Sequence, residues 1–514
     1  MTELSIERGP GLWLAMVVAL ACVGWAWIPL TISVPNERTR AYLTMALVER
    51  GEIRVDREVE RFGRVIDLAK HEGHYYTDKA PGSSFLGALV YAPARALSGG
   101  AAWTSDEVLT LMRRGLMLPI ALLGLVALYR VLVLLGVSLE SAALAALAWP
   151  LATTALHYAG SFLGHHLVAV ALVTSTWLAL AGRSVDGGAA WARLLGAGLV
   201  AGLAGFIEYQ AGPACAVLGL FVVYGERKRP LCIAAFALGV APCLAALLAY
   251  NDAAFGSPFA LSYTHVATAG FASNHDHGIG GIDLPKAKAI AGLLFSPHRG
   301  LLVTIPLTWL AIAGSYSLIR KQRALGVAIA IMVSAQVLVI SGFDGWWGGW
   351  SYGPRLLLPV LGMALVPAAF ALDALRARPW GVALVAALLL TGLVQSGLMH
   401  ATFFESPEEL ENPIYDVALP VLERGSCAPS AGQALGLSRC GSFVPFAALA
   451  LGALVLAWLA WSRAVAARAR LAAAVAAIAL ALVVLAATRA VHRSPQRELE
   501  NTMRFIAKHQ PPDA

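Results

Sequence analysis

Long runs of apolar residues separated by short polar connections dominate this chain, and thirteen of them are long enough to read as helices crossing a bilayer. They lie near 12–33, 115–135, 139–157, 163–182, 193–208, 211–225, 231–250, 300–319, 324–342, 355–375, 380–399, 443–462 and 471–488. About 20 apolar residues are needed for one crossing, because every backbone polar group must find its partner within the segment. A shorter run at 83–97 contains Pro93 and reads as a helix lying in the interface. The first run carries Glu3 and Glu7 on its flank and no small-residue cleavage site, so it reads as a span rather than a removable leader. Glu208, Tyr209 and Gln210 interrupt a nearly continuous apolar stretch, so the boundary between the fifth and sixth spans is the least sharp.

Composition agrees with the pattern. Of 514 residues, 58% are hydrophobic and 13% charged, half the share of a soluble domain, which is roughly 25%. Mean hydropathy is +0.68. Disorder, a nucleic-acid module and a disulfide-stapled secreted domain are excluded together, and the net charge of +7 reads as basic residues kept on the cytoplasmic side. The fold class expected is an all-α integral membrane protein of about 13 transmembrane helices, one polytopic domain over 1–514.

Orientation follows from alternate connections. Arg183 and Arg193; Arg227, Lys228 and Arg229; Arg320, Lys321 and Arg323; Arg376 and Arg378; and Arg463, Arg468 and Arg470 fall on one side, while the short connections opposite hold only Arg355. The positive-inside rule makes the basic side cytoplasmic. The first loop with its interfacial helix (34–97) and the loops 251–299 and 400–442 are then extracytoplasmic, or periplasmic, as are the tail and carboxyl terminus. The expected location is the cytoplasmic (inner) membrane, with the chemistry on its outer face.

Cysteines fit this sidedness. Cys22, Cys215, Cys232 and Cys243 sit singly in spans, as small apolar fillers. Cys427 and Cys440 share one outer loop. Free thiols and incomplete zinc ligation are the alternatives, but no histidine follows His400 in that loop and an oxidising compartment favours a disulfide.

Several outer stretches could carry chemistry. Glu37, in Val34-Pro35-Asn36-Glu37, stands where the first span emerges and suits a general base or a metal ligand. Helix initiation, with Asn36 as cap and Glu37 in the first turn, accounts for it equally simply and carries more weight on spacing alone. Lys79, in Tyr76-Thr77-Asp78-Lys79-Ala80-Pro81-Gly82, can bind a lipid phosphate as a point charge, with Tyr76 nearby; an ordinary snorkelling lysine is the plain reading. His157, His165 and His166 cluster at a span junction. Adjacent helical positions diverge, so His165 and His166 favour phosphate or sugar hydrogen bonds over a metal, against helix-end histidines at equal weight. Between two spans runs Phe343-Asp344-Gly345-Trp346-Trp347-Gly348-Gly349-Trp350-Ser351-Tyr352-Gly353-Pro354-Arg355. Arg355 can grip phosphate bidentately, and Trp350 and Tyr352 can line a sugar site; an aromatic belt explains the tryptophans but not the arginine. Phe295-Ser296-Pro297-His298-Arg299-Gly300 is basic at another outer boundary, and His275-Asp276-His277 is a weak metal pattern.

The arrangement resembles the GT-C superfamily of polytopic glycosyltransferases, and within it the lipid A aminoarabinose transferases and protein O-mannosyltransferases. The acid of the first outer loop, Glu37, and the Tyr-x-x-Lys-Pro-Pro-like Tyr76-Thr77-Asp78-Lys79-Ala80-Pro81 carry the resemblance, with Ala80 in place of the first proline. It covers about the first 230 residues by motif and the rest by topology. The resemblance implies transfer of a sugar from a polyprenyl-phosphate donor to an extracytoplasmic acceptor, with inversion at the anomeric carbon. Glu37 would be the general base and Lys79 the phosphate ligand; Arg355 is added on electrostatic grounds as a second phosphate ligand. Partners would be the lipid-linked sugar, a lipid, glycan or protein acceptor, and membrane lipids, with no nucleic acid. Relatives often have two neighbouring acids where this chain has Asn36-Glu37, so a divalent metal is left open and the metal ligands unknown. A lipid or glycolipid transporter (flippase) and a non-catalytic envelope scaffold are the rivals; the first lacks support from internal repeats or paired broken helices.

Overall fold

The computed structural model describes residues 34–275, 278, 280–489 and 494–510. The first expected span (12–33), Cys22, Asp276, His277 and the carboxyl-terminal residues 511–514 lie outside the described residues.

The chain is a multi-pass membrane protein. Nine helices among the described residues are long and apolar enough to cross a bilayer. Three expected spans are shorter than a crossing. The segment 139–157 is helical only over Leu139–Leu151 and then bends through Thr153 and Thr154 into a single turn, Ala155–Tyr158. The segment at 300–319 divides into Leu301–Thr304 and Thr308–Lys321, because Pro306 brings no N–H to continue the ladder. The segment from 211 ends as Gly212–Gly225, preceded by a 3₁₀ turn. Glu208, with φ −145° and ψ 123°, marks the break that the polar triplet suggested.

The first loop folds as helix α1 (Pro35–Arg50), helix α2 (Asp56–Phe62), a hairpin of β1 (Leu68–His71) and β2 (His74–Thr77), and helix α3 (Gly82–Leu97). The strands are antiparallel, with Leu68 opposite Thr77 and His71 opposite His74. Asn36 is not the cap of α1: Val34 holds that place, Pro35 takes the first helical position, and Asn36 turns its amide oxygen to Arg40. Tyr42, Leu43, Leu68, Tyr76 and Phe255 form a small core under this loop.

The bundle follows as α4 (Ser105–Leu134), α5 (Leu139–Leu151), α6 (Gly164–Arg183), α7 (Gly187–Ile207), α8 (Gly212–Gly225), α9 (Pro230–Phe255), α10 (Ala287–Phe295), α11 (Thr308–Lys321), α12 (Arg323–Gly342), α13 (Leu358–Leu375), α14 (Pro379–Ala401), α15 (Val444–Trp461), α16 (Ala467–Arg489) and α17 (Gln496–His509). Segments α6 and α13 are the centre: their apolar windows are 78% and 94% buried, against 17% for α16 at the edge. Lipid offers no hydrophobic drive between helices, so close packing must hold them. At Gly198 of α7 a methyl group would lie 2.0 Å from the Phe236 carbonyl oxygen, and at Gly239 of α9 2.1 Å from that of Leu195. Only hydrogen fits at either place.

The basic connections gather at one end. Arg183 pairs with Glu226 at 3.1 Å, and Arg376 and Arg463 reach Glu140 at 3.6 and 2.5 Å. The long loops occupy the opposite end, called here the loop face.

Candidate functional site

Glu37 sits in the first turn of α1 and is 2% exposed. Its Oε1 accepts from the Phe162 backbone N–H at 2.7 Å and from Arg113 Nε at 3.0 Å, and its Oε2 accepts from Arg113 Nη2. Arg113 lies in a π-helical stretch, Met112–Met117, inside α4. Such bulges are frequent at functional sites, since they turn a side chain out of the helical register.

One turn beyond Glu37, Arg40 is buried and fully engaged. It donates to Asn36, to Ser83 of α3 and, at 2.6 Å, to Glu208. Glu208 occupies the space above Gly164, where a methyl group would lie 2.1 Å from its Oε1. The same oxygen is 3.8 Å from His165 Nδ1, which also lies 3.3 Å from Gln210 Nε2. His165 therefore faces the loop-face chamber, within electrostatic reach of Arg355, Arg40 and Lys79. His166 turns away into the bundle against Trp149, with its Nε2 unpartnered.

Lys79 is held by two carboxylates, Asp78 at 2.9 Å and Asp67 at 3.5 Å. Burial pulls its pKa down, but the two acids more than offset this and leave it raised. Asp78 is pushed up to about 6, chiefly by burial, against the opposing effect of Lys79. Its Oδ1 is buried without a hydrogen bond.

Arg355 precedes α13 and is half-buried. Its guanidinium lies against Gly348 and Gly349, whose φ values of +77° and +70° suit residues without a side chain. Among the described residues it has no ion-pair partner, and its Nε makes no hydrogen bond. It lies within electrostatic reach of Tyr158 and of Arg299. Arg299, 3% exposed, donates through Nη1 to the carbonyl and hydroxyl of Ser351, while its Nη2 is unpartnered. His298 ties three loops behind these cations: Nδ1 meets the Leu410 carbonyl at 2.6 Å, Nε2 meets Ser406 Oγ at 3.1 Å, and its own carbonyl accepts from the Gly353 N–H.

A further pair lies on the Arg113 side. His157 Nε2 is 3.2 Å from Glu405, its ring stacks on Phe404 with centroids 3.9 Å apart, and its Nδ1 is 3.3 Å from His400. Burial raises the Glu405 carboxyl, but His157 and Arg113 outweigh it and hold the group below its usual value.

Of the other sequence candidates, Tyr352 borders this chamber, its carbonyl accepting from the Tyr158 hydroxyl at 3.4 Å, and the rest stand apart. Tyr76 packs on Phe255 in the small core, and Tyr352 is 1% exposed with its hydroxyl toward Gln395. Trp350 is 42% exposed and meets Phe505 of α17 edge-on. Cys427 and Cys440 are joined in a disulfide, and His275 stacks on Tyr263. Among the described residues no three His, Cys, Asp or Glu side chains gather as metal ligands, and Glu37 is held by Arg113 and the Phe162 N–H rather than beside a second carboxylate. The described residues of the site do not fit a metal ion.

The sequence did not single out Arg40, Arg113, Asp67 or Glu405. Arg113 had a signal of its own, as an ionisable residue running into a span. Glu208 showed only as an interruption of an apolar stretch.

In comparison with known proteins, no family model and no curated protein matches. Among solved structures, the archaeal oligosaccharyltransferase AglB of Archaeoglobus fulgidus, in complex with an inhibitory peptide and a dolichol-phosphate, aligns with TM-score 0.49 at 12% identity over 77% of this chain and 56% of its own. The same organism's oligosaccharyltransferase with zinc and sulfate gives 0.49 at 14% over 77% and 53%, and its apo form 0.47 at 14% over 79% and 58%. The chain thus spans little more than half the length of these proteins.

Proposed function

We propose that this protein is a GT-C-type membrane glycosyltransferase that moves a sugar from a polyprenyl-phosphate donor to an acceptor outside the cytoplasmic membrane, with inversion. The observation that carries the reading is Arg355, a half-buried guanidinium with no counter-ion among the described residues, set among Arg299, Tyr158 and His165. A cation kept without a carboxylate in a partly dry chamber is matched to an anion from elsewhere, and a fixed fork suits phosphate oxygens. Lys79 belongs to the same chamber, but its charge is already shared with Asp67 and Asp78, so it takes the lesser part in phosphate binding. The extracytoplasmic side follows from the basic residues at the opposite end.

In this reading the leaving phosphate gains charge as the glycosidic bond breaks, and Arg355 stabilises it there. The acceptor hydroxyl attacks from the opposite face of the sugar, hence inversion. Glu37 takes its proton: Arg113 and Phe162 orient the carboxylate, and Oε2, which accepts from Arg113 Nη2, has a second lone pair to offer the hydroxyl.

The test is sugar transfer by the purified chain from a polyprenyl-phosphate sugar, alongside mass spectrometry of envelope glycans and glycolipids with and without the protein. Sugar transfer and a missing glycan class are the expected results. Unchanged envelope glycans together with lipid movement across vesicles would replace the transferase with a flippase.

A further inference from the structure

Between helices α5 and α6 the chain crosses 152–163 with a single helical turn, Ala155–Tyr158. One turn fixes many dihedrals for few bonds and is not stable by itself. Yet this stretch presents the Phe162 N–H that meets Glu37 Oε1 at 2.7 Å. Other contacts hold it. The His157 carbonyl accepts from the Gly160 N–H and from the Ser161 hydroxyl, each at 3.1 Å, so His157 and Phe162 belong to one compact turn. On the Glu37 side the Phe162 ring presses on Gly87 of α3, where a methyl group would lie 3.2 Å from its Cζ. On the other side the His157 ring lies flat on Phe404, with planes 2° apart, and its Nε2 is 3.2 Å from Glu405 Oε1. Its Nδ1 is 3.3 Å from His400 Nδ1, where one ring donates and the other accepts.

The loop that carries Glu405 is tied in turn to the cations. The Ser406 carbonyl accepts from the Ser351 N–H at 3.0 Å, and Ser351 Oγ accepts from Arg299 Nη1 at 2.6 Å. Ser351 and Arg355 lie in the same connection between spans. Two side-chain bonds cross from the turn to these loops. One is His157 to Glu405; the other, from the Tyr158 hydroxyl to the Tyr352 carbonyl, is longer at 3.4 Å. A carboxylate acceptor makes the first the stronger. We infer that His157 and Glu405 are positioning residues, whose bond is a strut that holds the Glu37 carboxylate in register with the Arg299 and Arg355 loops. The inference rests on the transferase reading above and adds to it what sets the base against the cations.

Transfer must align an acceptor hydroxyl with a leaving phosphate, and a misplacement of about 1 Å from a distant change can cost roughly 10²-fold. Two amides separate the strut from mere bulk. A glutamine nitrogen falls near the place of Nε2 and still donates to Glu405, whereas an asparagine nitrogen falls near Nδ1 and does not. His157→Asn should lower kcat about 10–100-fold with donor KM unchanged, and His157→Gln should stay within about fivefold of the wild type. Glu405→Ala should match His157→Asn, and the double variant should lose no more than either single one. Glu405→Gln, which still accepts from Nε2–H, should stay active. Hydrogen exchange over 159–163, read on the purified full chain without substrate, should rise in His157→Asn and Glu405→Ala and stay as in the wild type in the two glutamine variants.

Wild-type turnover in His157→Asn, equal losses in His157→Asn and His157→Gln, additive losses in the double variant, or a loss confined to donor KM would each overturn the strut. An inactive Glu405→Gln would overturn it too, by making Glu405 a reacting group. Exchange and transfer together separate the two readings. A wild-type chain that transfers no sugar removes the donor reading, and the exchange pattern still decides the strut. Transfer with exchange unmoved in every variant keeps the transferase and removes the strut.

Discussion

Arg113 grips both carboxylate oxygens of Glu37 from 76 residues away, and the side chains of the pair are 9% and 3% exposed. Removing one partner of such a pair strands a buried charge, at a cost of about 3–5 kcal/mol. The same bond orients the proposed base, so stability and catalysis are joined at one contact.

Glu37→Gln should therefore lower the melting temperature and cut sugar transfer by roughly 10²–10⁴-fold, while donor binding persists. Glu37→Gln with Arg113→Met removes both charges and should recover much of the stability without the activity. Thermal unfolding, donor binding and turnover on the same preparations check this. Wild-type turnover in Glu37→Gln would take the proton-accepting role away from it.

Arg355 has no ion pair among the described residues to lose, so Arg355→Ala should melt like the wild type. A hydrogen bond to a charged group contributes about 1.5–3 kcal/mol, so donor affinity should fall roughly 10–100-fold. Lys79→Ala should behave in the opposite way, destabilising the fold by leaving Asp67 and Asp78 facing each other, with a smaller change in donor affinity. Titration with a polyprenyl phosphate and thermal melts separate the two patterns. Equal affinity losses would return Lys79 to the leading place.

Asp78 makes stability depend on pH. Its folded value of about 6 lies above the 3.8 of a free aspartate, so between these two values the folded chain holds more protons than the unfolded one. Stability then falls as pH rises through this window. Asp78→Asn should flatten that fall. Melting curves from pH 4 to 8 measure it; an equal slope in the variant would assign the effect to another group.

Single cysteines report sidedness. One placed at Lys228 should react with an impermeant maleimide only after permeabilisation, and one at Glu409 in intact cells. The reverse pattern would turn the protein over in the membrane and put the Arg355 chamber inside.

The bond between Cys427 and Cys440 closes a short loop, worth about 3 kcal/mol in the chain-entropy model. Cys427→Ser with Cys440→Ser should lower the melting temperature, and non-reducing peptide mapping of the wild type should recover the linked peptides. Two freely alkylated thiols in protein purified without reductant would remove the bond.

Apolar run length determined, from sequence alone, that this chain crosses a membrane many times and that its polar segments gather at one end. The reason is local: a segment in hydrocarbon must satisfy its backbone within itself, so each span announces itself. The divergence of His165 and His166 was legible for the same reason, being fixed by helix geometry. Helix breaks inside apolar runs were less so, because Thr153 and Pro306 cost a span little hydropathy while ending its hydrogen-bond ladder. What only the tertiary structure decided was which charges are already spent. Lys79 and Arg355 look alike as isolated cations at a loop boundary. Asp67 and Asp78 meet the first, and no described carboxylate pairs with the second, because hairpin and helix packing bring carboxylates to one and glycines to the other. Charge compensation acts through space over a few ångströms, between residues whose separation along the chain carries no record of it.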